Sequence, residues 1–212
     1  MYAAHKAAGG MTSVYRQLGI GCERLFRAIL QDEFKITEEQ SKWSYKIKPV
    51  KENEKERNLS LDGRIALENI SDSNRRNNVE QWMIKAAGIL DIDTQIQKSL
   101  AGLVFEIRQG YKSKDSKRQN ADIANAVTAY TKGYFPCAII LSLQIDDDIV
   151  QRYTNEKWFI LTGSINVDDP HKSTYAFMKT IVGYDLASFF SRNKTAFKRK
   201  ITKVLKSLLE VK

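Results

Sequence analysis

Residues 103–122 read LVFEIRQGYKSKDSKRQNAD, a short apolar run followed by a dense group of polar side chains. The branched and aromatic residues Leu103, Val104 and Phe105 favour a buried strand, and that strand leads into Glu106 and Arg108. The polar residues beyond Arg108 favour a loop that opens a helix. This stretch therefore predicts a strand that brings an acid and a cation to the start of a loop–helix connection.

The residues on either side extend this unit into an alternation of strands and helices. Strands are predicted over 100–108, 135–143 and 157–162, with a helix over 116–132 and a short helix over 146–153 between them. Ser113, Asp115 or Ser116 caps the longer helix. The alternation predicts an α/β fold with a largely parallel sheet, and overall a mixed central sheet flanked by helices.

The remaining segments predict helices around this core. Helical periodicity extends from Thr12 or Ser13 to residue 31 and over 74–88, 173–190 and 193–211, whereas 43–47 and 89–96 alternate as strands do. The length of 212 residues fits one domain. Within it we expect a helical or irregular N-terminal part (1–88), an α/β core (89–165) and C-terminal helices (166–212).

Charge narrows the choice of partner. The chain has 34 basic and 25 acidic residues, a net charge of +9. Such an excess favours a polyanion such as a nucleic acid, although a basic surface without that role has the same composition. The C-terminal helix leaves the same two alternatives open: its basic face is either exposed to solvent or in contact with phosphates of a nucleic acid.

Histidine and cysteine are too scarce for a zinc site. The chain has two histidines, His5 and His171, and two cysteines, Cys22 and Cys137. A metal would be held by carboxylate oxygens, which favours Mg²⁺ or a similar divalent cation. Neither a disulfide framework nor a long apolar segment is present in the sequence, so we expect a cytoplasmic protein without a membrane span.

Candidate catalytic groups follow the 100–108 strand. Ligands of α/β folds gather at the carboxyl ends of strands, which is where the polar cluster begins. If the segment 89–96 pairs with this strand, Asp91 or Asp93 shares a divalent cation with Glu106. The catalytic cation is then either Arg108 or Lys112. The alternative is an exposed strand end with solvated charges.

The start of the following helix carries the candidate DNA contacts. Lysine, arginine, glutamine and asparagine bind phosphates and base edges. The amides of Gln119 and Asn120 either recognise bases or tie down the loop by hydrogen bonds. The predicted DNA-binding residues are Lys114, Asp115, Lys117, Arg118, Gln119 and Asn120.

These motifs resemble those of type II restriction endonucleases with the PD-(D/E)xK nuclease core. That core runs helix, three antiparallel strands, helix, strand, and its third strand carries the (D/E)xK element. Here LVFEIR corresponds to that strand and FPCAIILSL to the next one, and YKSKDSKRQNAD is similar to the stretch that reads bases in enzymes cutting CCGG-type sites. The resemblance covers about residues 90–145.

The chain departs from the family pattern at two positions. Arg108 replaces the lysine, and the leading Pro-Asp pair is absent, with Asp91 or Asp93 as its substitute. If residues 89–96 instead end a helix, the first metal ligand is Glu68, Asp62 or Asp122.

The resemblance implies a Mg²⁺-dependent endonuclease that cuts double-stranded DNA at specific sites and acts as a homodimer on palindromes. Glu106 and Asp93 would be the metal ligands. Two other classes fit the same basic cluster: a DNA- or RNA-binding module without catalysis, and a base-excising enzyme that needs no metal.

Overall fold

Six strands are found in the part of the chain that the computed structural model describes. It describes the backbone of residues 2–47, 57–110 and 116–209, and the side chains of residues 10–46, 58–110 and 120–207. The strands are β1 (Trp43–Ile47), β2 (Arg57–Leu61), β3 (Gly63–Ala66), β4 (Gly102–Arg108), β5 (Tyr134–Ile140) and β6 (Phe159–Leu161).

Helices precede, separate and follow these strands. They are α1 (Tyr2–Phe34), α2 (Glu38–Ser41), α3 (Ser73–Ile89), α4 (Thr94–Ser99), α5 (Ser116–Thr131), α6 (Asp147–Asn155), α7 (Thr174–Phe177) and α8 (Leu186–Leu209). A 3₁₀ turn (Leu67–Asn69) follows β3, and a π-helical turn (Met178–Val182) follows α7.

The central sheet has the order β3–β4–β5–β6. β3 is antiparallel to β4, whereas β4, β5 and β6 are parallel to one another. β1 and β2 form a separate antiparallel hairpin, and one residue, Asp62, separates β2 from β3. The predicted mixed sheet flanked by helices is confirmed, and it also takes a strand, β3, from the N-terminal part of the chain.

Alternating side chains of β4 divide the interior into two cores. Leu103, Phe105 and Ile107 face one core with α1 and α3. Val104 faces the other with α5, α6 and the β1–β2 hairpin. Because side chains alternate along a strand, Glu106 and Arg108 lie on the face of Val104. The sequence thus places an ion pair on the α5 face of a fully covered strand.

The predicted strand at 89–96 is wrong. α3 runs through Ile89, and residues 94–99 form α4, so the neighbours of β4 are β3 and β5. Asp91 has a left-handed backbone with φ of 52°. Asp93 caps α4 by accepting a hydrogen bond from the amide of Gln95 at 2.8 Å. Turn and cap geometry explains these aspartates better than strand alternation does.

The C-terminal helices also differ from their predicted bounds. The break falls at residues 183–185 rather than 191–192, because Gly183 takes a φ of 97° after the π-helical turn. Asp185 then accepts a hydrogen bond from the amide of Ser188 at 2.8 Å near the start of α8. None of the described helices is both long and apolar enough to cross a membrane.

Candidate active site

Glu106 and Arg108 form an ion pair inside the protein. They are two residues apart on β4, so both side chains lie on the same face, and Nη2 of Arg108 contacts Oε1 of Glu106. Only 9% of the Glu106 side chain and 14% of the Arg108 side chain are exposed. Burial strengthens their attraction because little water screens it.

Asp62 reaches the same pair from the neighbouring strand. Its amide donates to the carbonyl of Phe105 at 2.8 Å, and its Oδ2 accepts from the amide of Ile107 at 2.8 Å. Oδ2 of Asp62 lies 3.8 Å from Nη1 of Arg108. The single residue between β2 and β3 is therefore fixed to β4 on both sides of Glu106.

The environment of Asp62 raises its pKa to about 6. The main cause is burial, which disfavours the charged carboxylate, and the charge of Glu23 on α1 adds to it. The hydrogen bond from Ile107 and the charges of Arg108 and Arg27 act in the opposite direction. A carboxyl group with this pKa changes protonation close to neutral pH, which is a frequent property of catalytic acids and bases.

Asp122 supplies a third carboxylate, from α5. Its Oδ1 lies 3.7 Å from Nη2 of Arg108, and its Oδ2 accepts a hydrogen bond from the hydroxyl of Tyr153 at 2.6 Å. The indole of Trp158 donates to the backbone carbonyl of Asp122 at 3.0 Å. α5 and α6 thus hold Asp122 against the end of β4.

One further polar pair borders this cluster. Asn125, one turn along α5 from Asp122, accepts a hydrogen bond from the hydroxyl of Tyr45 at 2.7 Å. Asn125 and Tyr45 are both buried. This contact joins the β1–β2 hairpin to α5 one turn from Asp122.

The guanidinium of Arg108 therefore lies among three carboxylates, which come from the β2–β3 connection, β4 and α5. Its Nε is buried and has no hydrogen-bond partner in the described part of the chain. Three acids against one arginine leave an excess of two negative charges among these side chains, while Glu23 and Arg27 act on Asp62 with opposite signs. We call Asp62, Glu106, Arg108 and Asp122 the acidic cluster.

A divalent cation fits the donor set of this cluster. Carboxylate oxygen is the ligand that Mg²⁺ prefers, and Mg²⁺ commonly takes one or two carboxylates and keeps several waters. Among the described residues, no group of three or more His, Cys, Asp and Glu is arranged to hold a metal by itself. Asp62 and Glu106 each contact the guanidinium of Arg108 and are the candidate ligands of such an ion.

The other predicted metal ligands, Asp91 and Asp93, lie at the opposite edge of the sheet. They line a cavity of about 400 Å³ together with Tyr130 at the end of α5 and Lys157 just before β6. This is the edge at which the parallel strands begin, whereas Glu106 lies near the carboxyl end of β4. The structure does not bring Asp91 or Asp93 to Glu106.

The three residues named as alternatives for the first metal ligand lie in different places relative to Arg108. Asp62 and Asp122 both reach Arg108. Glu68 is exposed in the 3₁₀ turn after β3, close to the start of β4. The pairing of Ala66 with Gly102 separates Glu68 from the carboxyl end of β4, where the acidic cluster lies.

The predicted cation and DNA contacts divide into three groups. Lys112, Lys114 and Asp115 lie outside the described residues. The backbone of Lys117, Arg118 and Gln119 lies in the first turn of α5, but their side chains lie outside the described part. Asn120 is exposed, and its Oδ1 accepts a hydrogen bond from Nη2 of Arg152 at 2.7 Å. This bond connects the start of α5 to α6.

The sequence did not point to Tyr153, Asn125 or Tyr45 as site residues, and it indicated Asp62 and Asp122 only as alternatives. The signal for Asp62 was present: Asp-Gly at 62–63 interrupts a segment with strand-like residues, as at a bend. Tyr153 gave no such signal, because a tyrosine on the apolar face of a short helix looks like any core residue.

Comparison of the chain with protein-family models, curated proteins and solved structures gave no match.

Proposed function

We propose that the protein is a divalent-metal-dependent endonuclease that hydrolyses phosphodiesters of double-stranded DNA, of the type II restriction class. The observation that carries the proposal is that Asp62, between β2 and β3, and Glu106, on β4, both contact the guanidinium of Arg108. Asp62 thus supplies one acid, and Glu106 and Arg108 supply an acid–x–cation element at the same end of β4.

The order of elements supports the same proposal. If β2 and β3 are counted as one strand bent at Asp62, the chain runs from α1 and the short α2 through β1 and this bent strand, and then through α3 and α4 to β4. β4 is followed by α5 and by the parallel strand β5. The nuclease core that the sequence resembles has the same order of strands and the same helix after the third strand, whereas α3 and α4 are additional here. In it the third strand, here β4, carries the acid–x–cation element.

The residues of the acidic cluster have separable roles in this proposal. Asp62 and Glu106 would hold the cation, which would polarise the phosphate and lower the pKa of an attacking water. Arg108 lies between these carboxylates and binds a phosphoryl oxygen of the DNA. Asp122, held by Tyr153, keeps the guanidinium on the α5 face.

The protein acts as a homodimer in this proposal, since two copies related by twofold symmetry cut both strands of a palindromic site. The net charge of +9 favours the approach to DNA. Lys114, Asp115, Lys117, Arg118, Gln119 and Asn120 remain the predicted DNA contacts.

Incubation of plasmid DNA with the purified protein tests the proposal. We expect discrete fragments with Mg²⁺ and none with EDTA. Glu106→Gln and Asp62→Asn should each lower the cleavage rate by at least about 10²-fold, because each removes a charged metal ligand. Glu68→Gln and Asp93→Asn, which change acids away from the cluster, should retain cleavage.

Other outcomes contradict the proposal in identifiable ways. A shifted but uncut DNA band at every metal concentration would indicate a binding module without catalysis. Alkali-labile sites formed in EDTA would indicate a base-excising enzyme. Loss of cleavage in Asp93→Asn, with retention in Asp62→Asn, would restore Asp93 as the metal ligand.

A readout independent of cleavage tests the cation site. Mg²⁺ should raise the melting temperature of the parent protein, because a ligand that binds only the folded state stabilises it. The shift should be lost in Glu106→Gln and kept in Glu68→Gln.

A further inference from the structure

An apolar groove runs between α1 and α8. Two cavities of about 610 and 470 Å³ adjoin there and share Gln17, Leu18, Phe197 and Ile201. Because they have these lining residues in common, they form one continuous depression. We call it the α1–α8 groove and define it by Val14, Leu18, Leu25, Phe190, Phe197 and Ile201.

The groove leaves large apolar side chains in contact with water. Leu18 is 38% exposed, Phe197 39% and Val204 44%, and the exposed side chains of Met11 and Tyr15 continue along α1. Contiguous apolar surface of this kind marks an interaction site more often than an isolated exposed residue does. The side chains come from two helices and face a common depression, so one bound element would cover them together.

The helix that forms one wall is strongly basic. α8 carries seven Lys and Arg residues and no acidic residue, and one of the seven, Lys200, lines the groove. Residues 10–22 of α1 add Arg16 and no acid. The rim of an apolar groove is thus positively charged, and its complement combines apolar with acidic groups.

Shape and charge select one kind of occupant. A second copy of this chain would bring two basic α8 helices together, which like-charge repulsion opposes. A flat lipid surface does not enter a concave groove. The stretch of α8 from Phe189 to Val204 is about 22 Å long at 1.5 Å per residue, which matches an amphipathic helix of about 15 residues.

We propose that the α1–α8 groove binds an acidic amphipathic helix of a partner protein. The apolar stripe of that helix covers Leu18 and Phe197, and its carboxylates face Lys200 and the basic residues of α8. The inference does not depend on the acidic cluster or on nuclease activity.

A designed peptide probes the groove directly. It has about 16 residues, with leucine at every third or fourth position and glutamate and alanine elsewhere, and it carries a fluorophore for anisotropy. We expect saturable binding that weakens as salt increases, because exposed charges are screened. A matched peptide with lysine in place of glutamate should bind at least about tenfold more weakly.

Paired variants locate the binding surface. Phe197→Ser and Leu18→Ser should each weaken binding of the acidic peptide by about tenfold or more, since buried aromatic and aliphatic anchors dominate such interfaces. Ile84→Ser changes an equally exposed side chain on α3 (40%) and should leave binding unchanged. Lys200→Glu should weaken binding, whereas Lys98→Glu on α4 should not.

Four results would overturn the inference. The first is that the acidic peptide shows no saturable binding, and the second is that the acidic and basic peptides bind equally. The third is that the parent protein and both serine variants of the groove bind the acidic peptide equally. The fourth is a concentration-dependent dimer, measured by sedimentation, that Phe197→Ser dissociates, because a second copy would then occupy the groove.

Discussion

Arg108 connects groups that are distant in the sequence. It pairs with Glu106 on its own strand, and its guanidinium lies within 3.8 Å of carboxylate oxygens of Asp62 and Asp122. Removing such groups from water costs several kcal/mol per ion, and only good geometry compensates for it. An arrangement that is costly for stability and concentrated at one strand end is typical of a functional site.

Asp62→Asn should make the protein more stable at neutral pH. The pKa of Asp62 is about 6 in the folded protein, above its ordinary value of 3.8, so folding favours the protonated form. The stability of the folded protein relative to the unfolded one is therefore highest, as far as Asp62 is concerned, below about pH 4, and this advantage is lost as the pH rises through 6. Asparagine keeps a neutral side chain, and we expect a gain of roughly 1–3 kcal/mol at pH 7.5 that disappears towards pH 4.

Urea denaturation at both pH values measures this difference. Asp168→Asn, which changes an exposed acid, serves as the control and should behave as the parent does at each pH. If Asp62→Asn lowers the unfolding free energy by the same amount at pH 4 and pH 7.5, the ionised carboxylate of Asp62 does not destabilise the folded protein.

Tyr153→Phe should destabilise the protein through Asp122. The hydroxyl of Tyr153 donates a 2.6 Å hydrogen bond to a buried carboxylate oxygen, and bonds to charged groups contribute about 1.5–3 kcal/mol. Tyr130→Phe is the matched control, because its hydroxyl donates to the neutral backbone carbonyl of Lys157 at 2.8 Å. Its loss should cost about 0.5–1.5 kcal/mol. Equal unfolding free energies for the two variants would contradict a charge-assisted bond at Asp122.

At the scale of elements, β4 organises both cores and the acidic cluster. Its two faces contact α1 and α3 on one side and α5 on the other, and its two edges pair with β3 and β5. The position of Asp62 depends on the β3–β4 register, since Gly63 pairs with Phe105 and Ala66 pairs with Gly102. A change that separates these strands at one end therefore affects the acidic cluster at the other.

Gly102→Ala should disrupt this register. Gly102 has a φ of 157°, and a Cβ at this position would lie 2.1 Å from the carbonyl oxygen of Ile65 on β3. We expect a loss of about 3 kcal/mol or more in unfolding free energy, together with loss of cleavage. Gly88→Ala on α3 meets no atom within 4 Å and should stabilise the protein by about 0.5–1 kcal/mol. Comparable stability of the two alanine variants would show that β3 tolerates displacement.

At the scale of the whole molecule, the net charge of +9 and the placement of the acidic cluster act together. If the protein cuts DNA as proposed, its long-range field would attract DNA to any basic surface, whereas contacts at the carboxyl end of β4 would select the phosphate that is cut. α8 and the segment before and within α5 are both basic, and only the latter follows β4 directly. We therefore expect the two segments to contribute differently to DNA binding.

Two triple variants with the same change in charge separate these contributions. The first replaces Lys114, Lys117 and Arg118 by alanine, and the second replaces Lys198, Arg199 and Lys203. The first should weaken binding of a DNA duplex and reduce the slope of log K against log salt by up to about 3, one for each lost phosphate contact. The second should change both quantities much less. Equal losses in titrations between 50 and 200 mM salt would indicate a general charge effect instead.

Local patterns predicted much of the fold. The branched and aromatic residues of 100–108 and the apolar runs at 135–143 and 157–162 predicted three strands of the sheet, because such residues are typical of strands buried on both faces. The same reasoning placed Glu106 and Arg108 two residues apart on one strand face, which the ion pair confirms. Both statements concern residues that are close in the sequence.

The local pattern of residues 89–96 gave a wrong prediction, a strand. Isoleucine and aspartate alternate there as they do in a strand, but Asp91 adopts a turn and Asp93 caps α4. The competing signals, a helix end followed by a cap, occupy the same few residues. Only the helical continuation of α3 through Ile89 decides between them.

The amino-acid sequence alone determined the acid–x–arginine pair, the alternation of strands and helices and the basic character of the chain. Tertiary structure decided which acid meets that pair. Asp62 reaches Ile107 and Arg108 across 45 residues, through antiparallel pairing that no local periodicity encodes. Asp122 reaches Arg108 because α5 packs over β4, and Tyr153 then fixes it from α6. Periodicity reports which face of an element is buried, whereas the partners on that face are chosen by how the elements pack together.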